Sequence, residues 1–379
     1  MSRLVKPLGE LQKDTLRVGL LGTGEWAQMA HIPAFQTCRN ARIVVICGHD
    51  PEHNEEVAKR FGIPQTSTDY RELMERNDID VIDIATSAPR HFSLALAAIE
   101  AGKAVLCEKP LTTDYKEARL LYEKAAAKGV KTKVGFTLRY SPVVRRMKEL
   151  IEEGFVGVPY HFNGFLQNSQ FVDTKTPFRW NPSDDVKTIM PGSLEEYAPH
   201  LVDIALWMMG ELRAVVGHLR NFVPERFIRD AEKVMPINIE DGCICIGEFQ
   251  NGAQATFQSS FIAIGNYPGL EIRVYGSKGA LIGRLVEESG VHETLSGARP
   301  DKIEFVPLAI PERLYPSGPW KDEPWEQLHF RNLVQSFVDE ILNNREPEGN
   351  FRDGAKTQEV CTAIYLSHLE KRWIRLPLS

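Results

Sequence analysis

The sequence has no apolar run long enough to span a bilayer, and its opening, MSRLVKPLGELQKDTL, lacks the apolar core of a secretory signal. The expectation is a cytoplasmic protein with no membrane partner. Its six cysteines (Cys38, Cys47, Cys107, Cys243, Cys245, Cys361) form neither a CxxC pair nor a zinc-ligand cluster, so neither a disulfide framework nor a metal is expected. Most sit in apolar runs, where a reduced cysteine acts as a small buried hydrophobe. The net charge is -6 and no long Lys/Arg block is present, which argues against nucleic acid and membrane surfaces as partners and favours a small molecule. Internal repeats and low-complexity tracts are also lacking.

What is present is enough for large cores. A chain of 379 residues that is 43% hydrophobic and 25% charged is expected to form two domains. From Leu16 short apolar runs (LRVGLLG, ARIVVICG, DVIDIAT, AVLCEK, KTKVGF) alternate with helix-length segments, the pattern of a parallel sheet with crossover helices. The run Ile43 to Cys47 is apolar at successive positions, as strands covered on both faces are. Beyond about Phe136 the pattern changes. Ser141 to Glu153 reads as an amphipathic helix, and a loop-rich stretch through Pro177, Pro182 and Pro191 leads to an apolar helix ending near Gly210. Then come CICIGEF, AQATFQSSF, LEIRVYG and GALIGRL, which predict a largely antiparallel sheet, and two closing helices around 333–342 and 355–370.

Three segments carry chemistry. The first strand runs into Gly22-Thr23-Gly24-Glu25-Trp26-Ala27, a G-x-G-x-x-A turn before a helix. Small residues let the backbone approach a pyrophosphate while the helix N-terminus supplies N–H groups and a favourable dipole. After the second strand, where an NAD site usually places Asp or Glu against the ribose, the chain has Gly48 and then His49. That pattern leans toward NADP over NAD, with His49 meeting the 2′-phosphate; the alternative is Asp50 reaching the ribose. Glu108-Lys109-Pro110 ends the strand AVLCEK at the carboxyl edge, where open α/β sheets bind ligands, and a cis peptide at Pro110 would point Lys109 across the site. In the second half, Glu196, His200, Asp203 and Trp207 are spaced to share one helix face, and a His beside a carboxylate can shuttle a proton. A core histidine satisfied by its neighbour is the alternative.

These segments, with RVGLLGTGEWAQMAHIPAF, AGKAVLCEKPLT and the DGAKTQEVCTAIYLSHLEKRWIRLPL ending, resemble the Gfo/Idh/MocA family (glucose-fructose oxidoreductase, inositol dehydrogenase, rhizopine catabolism) over nearly the whole chain. The resemblance implies an α/β protein with an N-terminal Rossmann dinucleotide-binding domain, placed at 1–138. It also implies a C-terminal α/β domain with a large, mostly antiparallel open sheet, placed at 139–379, that builds homodimers or homotetramers. It implies Lys109 as catalytic lysine and Glu196 with His200 as the family's D-x-x-x-H pair. Thr86, Ser87 and His91 fall in the T-P-x-x-x-H stretch beside the nicotinamide, and Glu108 where the cofactor is held. Arg179 and Trp180 fall where the substrate pocket is lined, and Asp203 on the His-bearing face is expected to join them. Three departures stand out: Ser87 replaces Pro, Glu196 replaces Asp, and Ala198 replaces Gly.

The implied reaction is hydride transfer between NAD or NADP and a hydroxyl or keto carbon of a sugar, sugar derivative or cyclitol. His200 would take the hydroxyl proton, Lys109 would stabilise the developing charge on oxygen, and Glu196 would hold the imidazole. Two other readings of the same fold are a non-catalytic dinucleotide sensor and a glycoside-cleaving enzyme that uses its NAD transiently.

Overall fold

The computed structural model describes residues 15–176, 192–229, 231–265, 269–287, 291–316 and 323–378. The chain divides into two compact units.

The first unit is built on a six-stranded sheet of β1 (Leu16–Leu21), β2 (Ala41–Cys47), β3 (Thr66–Ser67), β4 (Val81–Ile84), β5 (Ala104–Cys107) and β6 (Thr132–Val134). All pairs are parallel and the order is β3-β2-β1-β4-β5-β6, so the order reverses between β1 and β4. Helices α1 (Ile32–Thr37), α2 (Pro51–Phe61), α3 (Tyr70–Glu75), α4 (His91–Glu100) and α5 (Tyr115–Lys128) make the crossovers. The apolar strands are covered on both faces, as their sequences require. On β1, Leu20 packs with Ile32 and Val57, while its neighbour Leu21, pointing the other way, packs with Leu94 and Ile99.

Residues Glu326–Ala355 lie far beyond residue 138 in sequence but cluster with this unit. A fully buried Lys133 on β6 places its Nζ 2.8 Å from Glu340 of α9 (Trp325–Leu342), and Phe330 of the same helix stacks near His31 and Trp26.

The second unit centres on a nine-stranded sheet, in the order β16-β15-β14-β13-β7-β12-β11-β8-β17. Its strands are β7 (Pro159–Gln167), β8 (Leu212–Arg220), β11 (Gly242–Phe249), β12 (Gln254–Ser260), β13 (Leu270–Gly276), β14 (Ala280–Glu287), β15 (Val291–Arg299), β16 (Lys302–Pro307) and β17 (Ile374–Arg375). A separate hairpin pairs β9 (Glu225–Ile228) with β10 (Lys233–Pro236). The sheet is antiparallel except where β7 and β12 run parallel. Its core joins α6 (Pro142–Glu152), α8 (Ala198–Met209) and part of α10 (Phe351–Glu370) to the inward side chains. On β11 the opposite positions, Ile244 and Ile246, are 55% and 48% exposed, so that face is open.

Among the described residues no helix is long and apolar enough to cross a membrane, and no His/Cys/Asp/Glu group is arranged to hold a metal. All six cysteines are free.

Candidate active site

The first unit brings the glycine turn and the Glu108-Lys109-Pro110 segment to the carboxyl ends of β1 and β5, the edge at which such sheets bind ligands. Gly22 has φ +108°, and an added Cβ would run into the Ala85 carbonyl, so only glycine fits. A Cβ on Gly24, by contrast, would meet no heavy atom within 4 Å. The turn thus combines a closely packed glycine with one facing open space, as a backbone cradle for a dinucleotide requires. Thr23 is buried, Glu25 exposed, and Trp26 half-buried against Phe330; Ala27 is buried in the core.

The turn is fastened by residues that the sequence reading missed. Buried Asn54 donates to the Gly48 and Ser67 carbonyls at 2.9 and 3.0 Å and accepts from the Thr23 hydroxyl at 3.2 Å. His53 Nε2 lies 3.0 Å from the Thr23 carbonyl, which also accepts from Gln28 at 2.9 Å. A Cβ on Gly48 would strike the Asn54 side chain and stand 2.7 Å from Thr23 Oγ1. Gly48 therefore reports this packing rather than a cofactor phosphate, and the lean toward NADP loses its footing. His49 is exposed. Asp50 caps α2, its Oδ1 accepting the Glu52 and His53 amide protons. No donor to Asp50 Oδ2 is found among the described residues.

At the other half of the edge, the Lys109-Pro110 peptide is cis. Buried His91 has Nδ1 2.8 Å from the Pro110 carbonyl and Nε2 3.0 Å from the Thr86 carbonyl. Both ring nitrogens thus face backbone carbonyls, the neutral ring donating to one of them, and burial pushes the imidazole below its ordinary value. His91 joins the Thr86 loop to the Lys109 turn. Thr86 is half-buried and Ser87 exposed at the start of a short 3-10 turn.

Glu108 is buried and Lys109 half-buried. Burial alone would raise the Glu108 carboxyl, but His31 and Lys109 hold it below the usual carboxylate value.

In the second unit, the predicted continuous helix is broken at Tyr197 into α7 (Ser193–Glu196) and α8. Pro199 has no N–H to donate back to Glu195, so the helix restarts with the proline in its first turn. His200 is 8% exposed at the start of α8, and Glu196 is half-buried at the end of α7. The start of α7 is pinned by Glu240, which accepts the Leu194 amide at 2.9 Å; burial raises this carboxyl above its ordinary value. Ser259 donates to the Ser193 carbonyl at 3.0 Å.

Asp203, expected to contact substrate, is buried in a two-point ion pair with Arg139, whose Nε is 2.8 Å from Oδ2. The guanidinium lies 5.1 Å from the Trp207 ring centroid. This pair anchors α8 one turn beyond His200. Arg179 and Trp180 lie outside the described residues.

Known proteins resemble the chain across both units. A family model described as an oxidoreductase family with an NAD-binding Rossmann fold matches residues 16–136, and a GFO/IDH/MocA C-terminal domain model matches residues 144–282. Inositol 2-dehydrogenase 3 of Saccharopolyspora erythraea is 36% identical over 350 residues, 92% of either chain. Levoglucosan dehydrogenase of Pseudarthrobacter phenanthrenivorans is 27% identical over 390 residues, covering 96% of this chain and 99% of its own. A solved levoglucosan dehydrogenase in complex with NADH and levoglucosan has a TM-score of 0.84 at 25% identity, over 96% of this chain and 100% of that one.

Proposed function

This chain belongs to the Gfo/Idh/MocA oxidoreductase family, and from that premise we propose that it moves a hydride between NAD and a hydroxyl-bearing carbon of a sugar, sugar derivative or cyclitol. The observation that carries the reading is the shared carboxyl edge of the first unit, where the glycine cradle and Glu108-Lys109 stand on either side of the strand-order reversal. Gly22 to Ala27 hold the pyrophosphate, Asp50 meets the adenine ribose, and Thr86, Ser87 and Glu108 line the nicotinamide half. His91 acts there by positioning Thr86 and Pro110. Bound NAD supplies the hydride acceptor.

The chain's own residues do the rest. His200 accepts the hydroxyl proton as the alcohol becomes a carbonyl, and in reduction it returns that proton. Lys109 places a cation on the oxygen as negative charge develops. Glu196 supports the protonated imidazole, and Asp203 sets the pitch of α8 through Arg139. The second unit supplies the sugar subsite, and a homodimer or homotetramer forms through the open sheet face that carries Ile244 and Ile246.

The test is a panel of anhydrosugars, aldoses and inositols offered with NAD while nicotinamide absorbance is followed. Net NADH formation supports the reading. A product released without net NADH assigns the chain to glycoside cleavage instead, and binding of dinucleotide without turnover on any polyol assigns it to sensing.

A further inference from the structure

Below the Glu108-Lys109 edge, Glu108 belongs to a buried group of charges whose other members, His31 and Asp83, take no part in the proposed chemistry. His31 and Asp83 are both 0% exposed, and Glu108 is 6% exposed. His31 Nδ1 is 2.8 Å from Asp83 Oδ2 and 3.0 Å from Oδ1, and Nε2 is 3.2 Å from Glu108 Oε1. Both ring nitrogens face carboxylate oxygens, and only the imidazolium has two N–H groups to give them. Glu108 Oε2 in turn accepts the Lys109 backbone N–H at 3.1 Å. The chain of contacts therefore runs from mid-strand β4, through His31, to the backbone of Lys109.

Local backbone geometry delivers His31 to this place. Residues Ala27–His31 form a π-turn in the helix after the glycine turn, with the Ile32 N–H reaching back to the Ala27 carbonyl. Pro33, two residues past His31, has no N–H for the carbonyl a turn earlier, and such a loss widens the preceding turn. Single π-turns inside helices are often found at functional sites. On the far side, a Cβ on Gly135 would stand 2.5 Å from Glu108 Oε1, so the carboxylate fills space that a larger residue would deny it.

We infer that His31 is a positioning residue that locks the helix of the glycine turn to Glu108, and through Glu108 to the Lys109 backbone, so that both halves of the dinucleotide edge keep one register. This rests on the reading that NAD binds at that edge. A single buried ion pair would suffice to fasten a helix to a strand. Here the imidazolium bridges two carboxylates, and the second one ends on the backbone of the proposed catalytic lysine.

The groups facing His31 are Asp83 on β4, Glu108 after β5, and the uncharged Phe330 ring of α9, 4.2 Å away between centroids. Cys107 and Lys109 flank Glu108 in the chain. Burial alone would lower the His31 imidazole, but the Asp83 and Glu108 carboxylates outweigh it and hold it up at about 9. Burial likewise raises the Asp83 carboxyl, which His31 only partly offsets. The lock is therefore closed at neutral pH and opens as pH rises through about 9. On losing a proton His31 keeps one N–H, Asp83 with its two-oxygen contact retains it, and Glu108 is left facing a lone pair and a second carboxylate.

The test is fluorescence titration of the full-length protein with NADH from neutral to alkaline pH, for wild type and His31→Gln. Wild type is expected to bind with constant affinity near neutrality and to weaken at least about fivefold as pH passes about 9. His31→Gln has both N–H groups on one nitrogen and a carbonyl oxygen, an acceptor, at the other end, so it cannot bridge the two carboxylates. It is expected to bind roughly tenfold more weakly at neutral pH and to lose the alkaline break. A purely structural histidine would lower the melting temperature and leave the pH profile alone. NMR of histidine-labelled wild type needs neither the variant nor cofactor: one buried ring is expected to carry protons on both nitrogens at neutral pH. A ring with one proton at neutral pH, or wild-type affinity and an unchanged alkaline break in His31→Gln, overturns the inference. Failure of wild type to bind NADH at all, with the doubly protonated ring present, overturns the dinucleotide reading and the positioning role with it.

Discussion

Replacing Asp50 by serine separates its capping of α2 from the ribose contact proposed for it. Its Oδ1 accepts the Glu52 and His53 amide protons at 3.0 and 3.1 Å and so caps α2. Serine caps a helix about as well as aspartate, so the start of α2 survives the change. What goes is the charge. Two like charges about 4 Å apart repel by about 1 kcal/mol in bulk water and about 4 kcal/mol at an effective dielectric constant near 20. Asp50 is exposed, which places its repulsion of a ribose 2′-phosphate toward the lower figure, about 1–2 kcal/mol or roughly tenfold in Kd. Fluorescence titration of Asp50→Ser is expected to show NADPH tightening roughly tenfold and NADH weakening by a smaller factor, as a ribose acceptor is lost. A ratio of the two affinities that stays within about twofold of wild type refutes the assignment of Asp50 to the ribose. Gly48→Asp is the contrasting substitution. Its Cβ would strike Asn54 and press on Thr23, so it is expected to cost roughly 1–3 kcal/mol in stability and to weaken both cofactors together. A selective switch by that variant would mean that the turn yields and that position 48 reads the ribose after all.

Lys109→Ala and His200→Ala are each expected to lower kcat by at least about a hundredfold while leaving NADH affinity within a few-fold of wild type, measured on the substrate found in the panel. Arg139→Met leaves Asp203 buried without its partner and is expected to destabilise the second unit by roughly 3–5 kcal/mol, whereas Arg139→Met with Asp203→Leu recovers most of the loss. Thermal denaturation of the single and double variants checks this, and equal losses in both would refute it. Light scattering is expected to show an oligomer for wild type and a smaller species for the Ile244→Glu, Ile246→Glu double variant, because both side chains stand on the open sheet face.

Much of the fold could be read locally because its signals are local. The apolar strand runs, the glycine turn after β1 and the amphipathic α6 are each specified by residues within about one element of one another, and periodicity is enough to place them. The strands β9 and β10 offered no such pattern, and α9 extended well before the residues that first suggested it. The break at Tyr197 was visible in principle, since Pro199 cannot sit in a helix interior. It was overridden by the regular spacing of Glu196, His200, Asp203 and Trp207, which looked like one continuous face.

The buried charges were missed for a different reason, and they matter most to the site. Asp83 pairs with His31 across 52 positions, Arg139 with Asp203 across 64, and Lys133 of β6 with Glu340 of α9. No window of sequence contains both members of any of these pairs. What the sequence does contain is one half of two of them: a carboxylate in the strand VIDI and an ammonium in TKV, at positions that otherwise demand apolar side chains. Because a charge leaves water only at a large cost unless it is paired, each such residue announces that a partner exists somewhere else in the chain. It does not say where. For Lys133 the partner brings Glu326–Ala355 back to the first unit. For Asp83 it is a histidine turned inward by a π-turn, and that turn follows from a proline which, in the sequence alone, reads as an ordinary early-helix proline. The segments richest in motif were therefore legible, while the charges that hold them in register had to be seen in three dimensions.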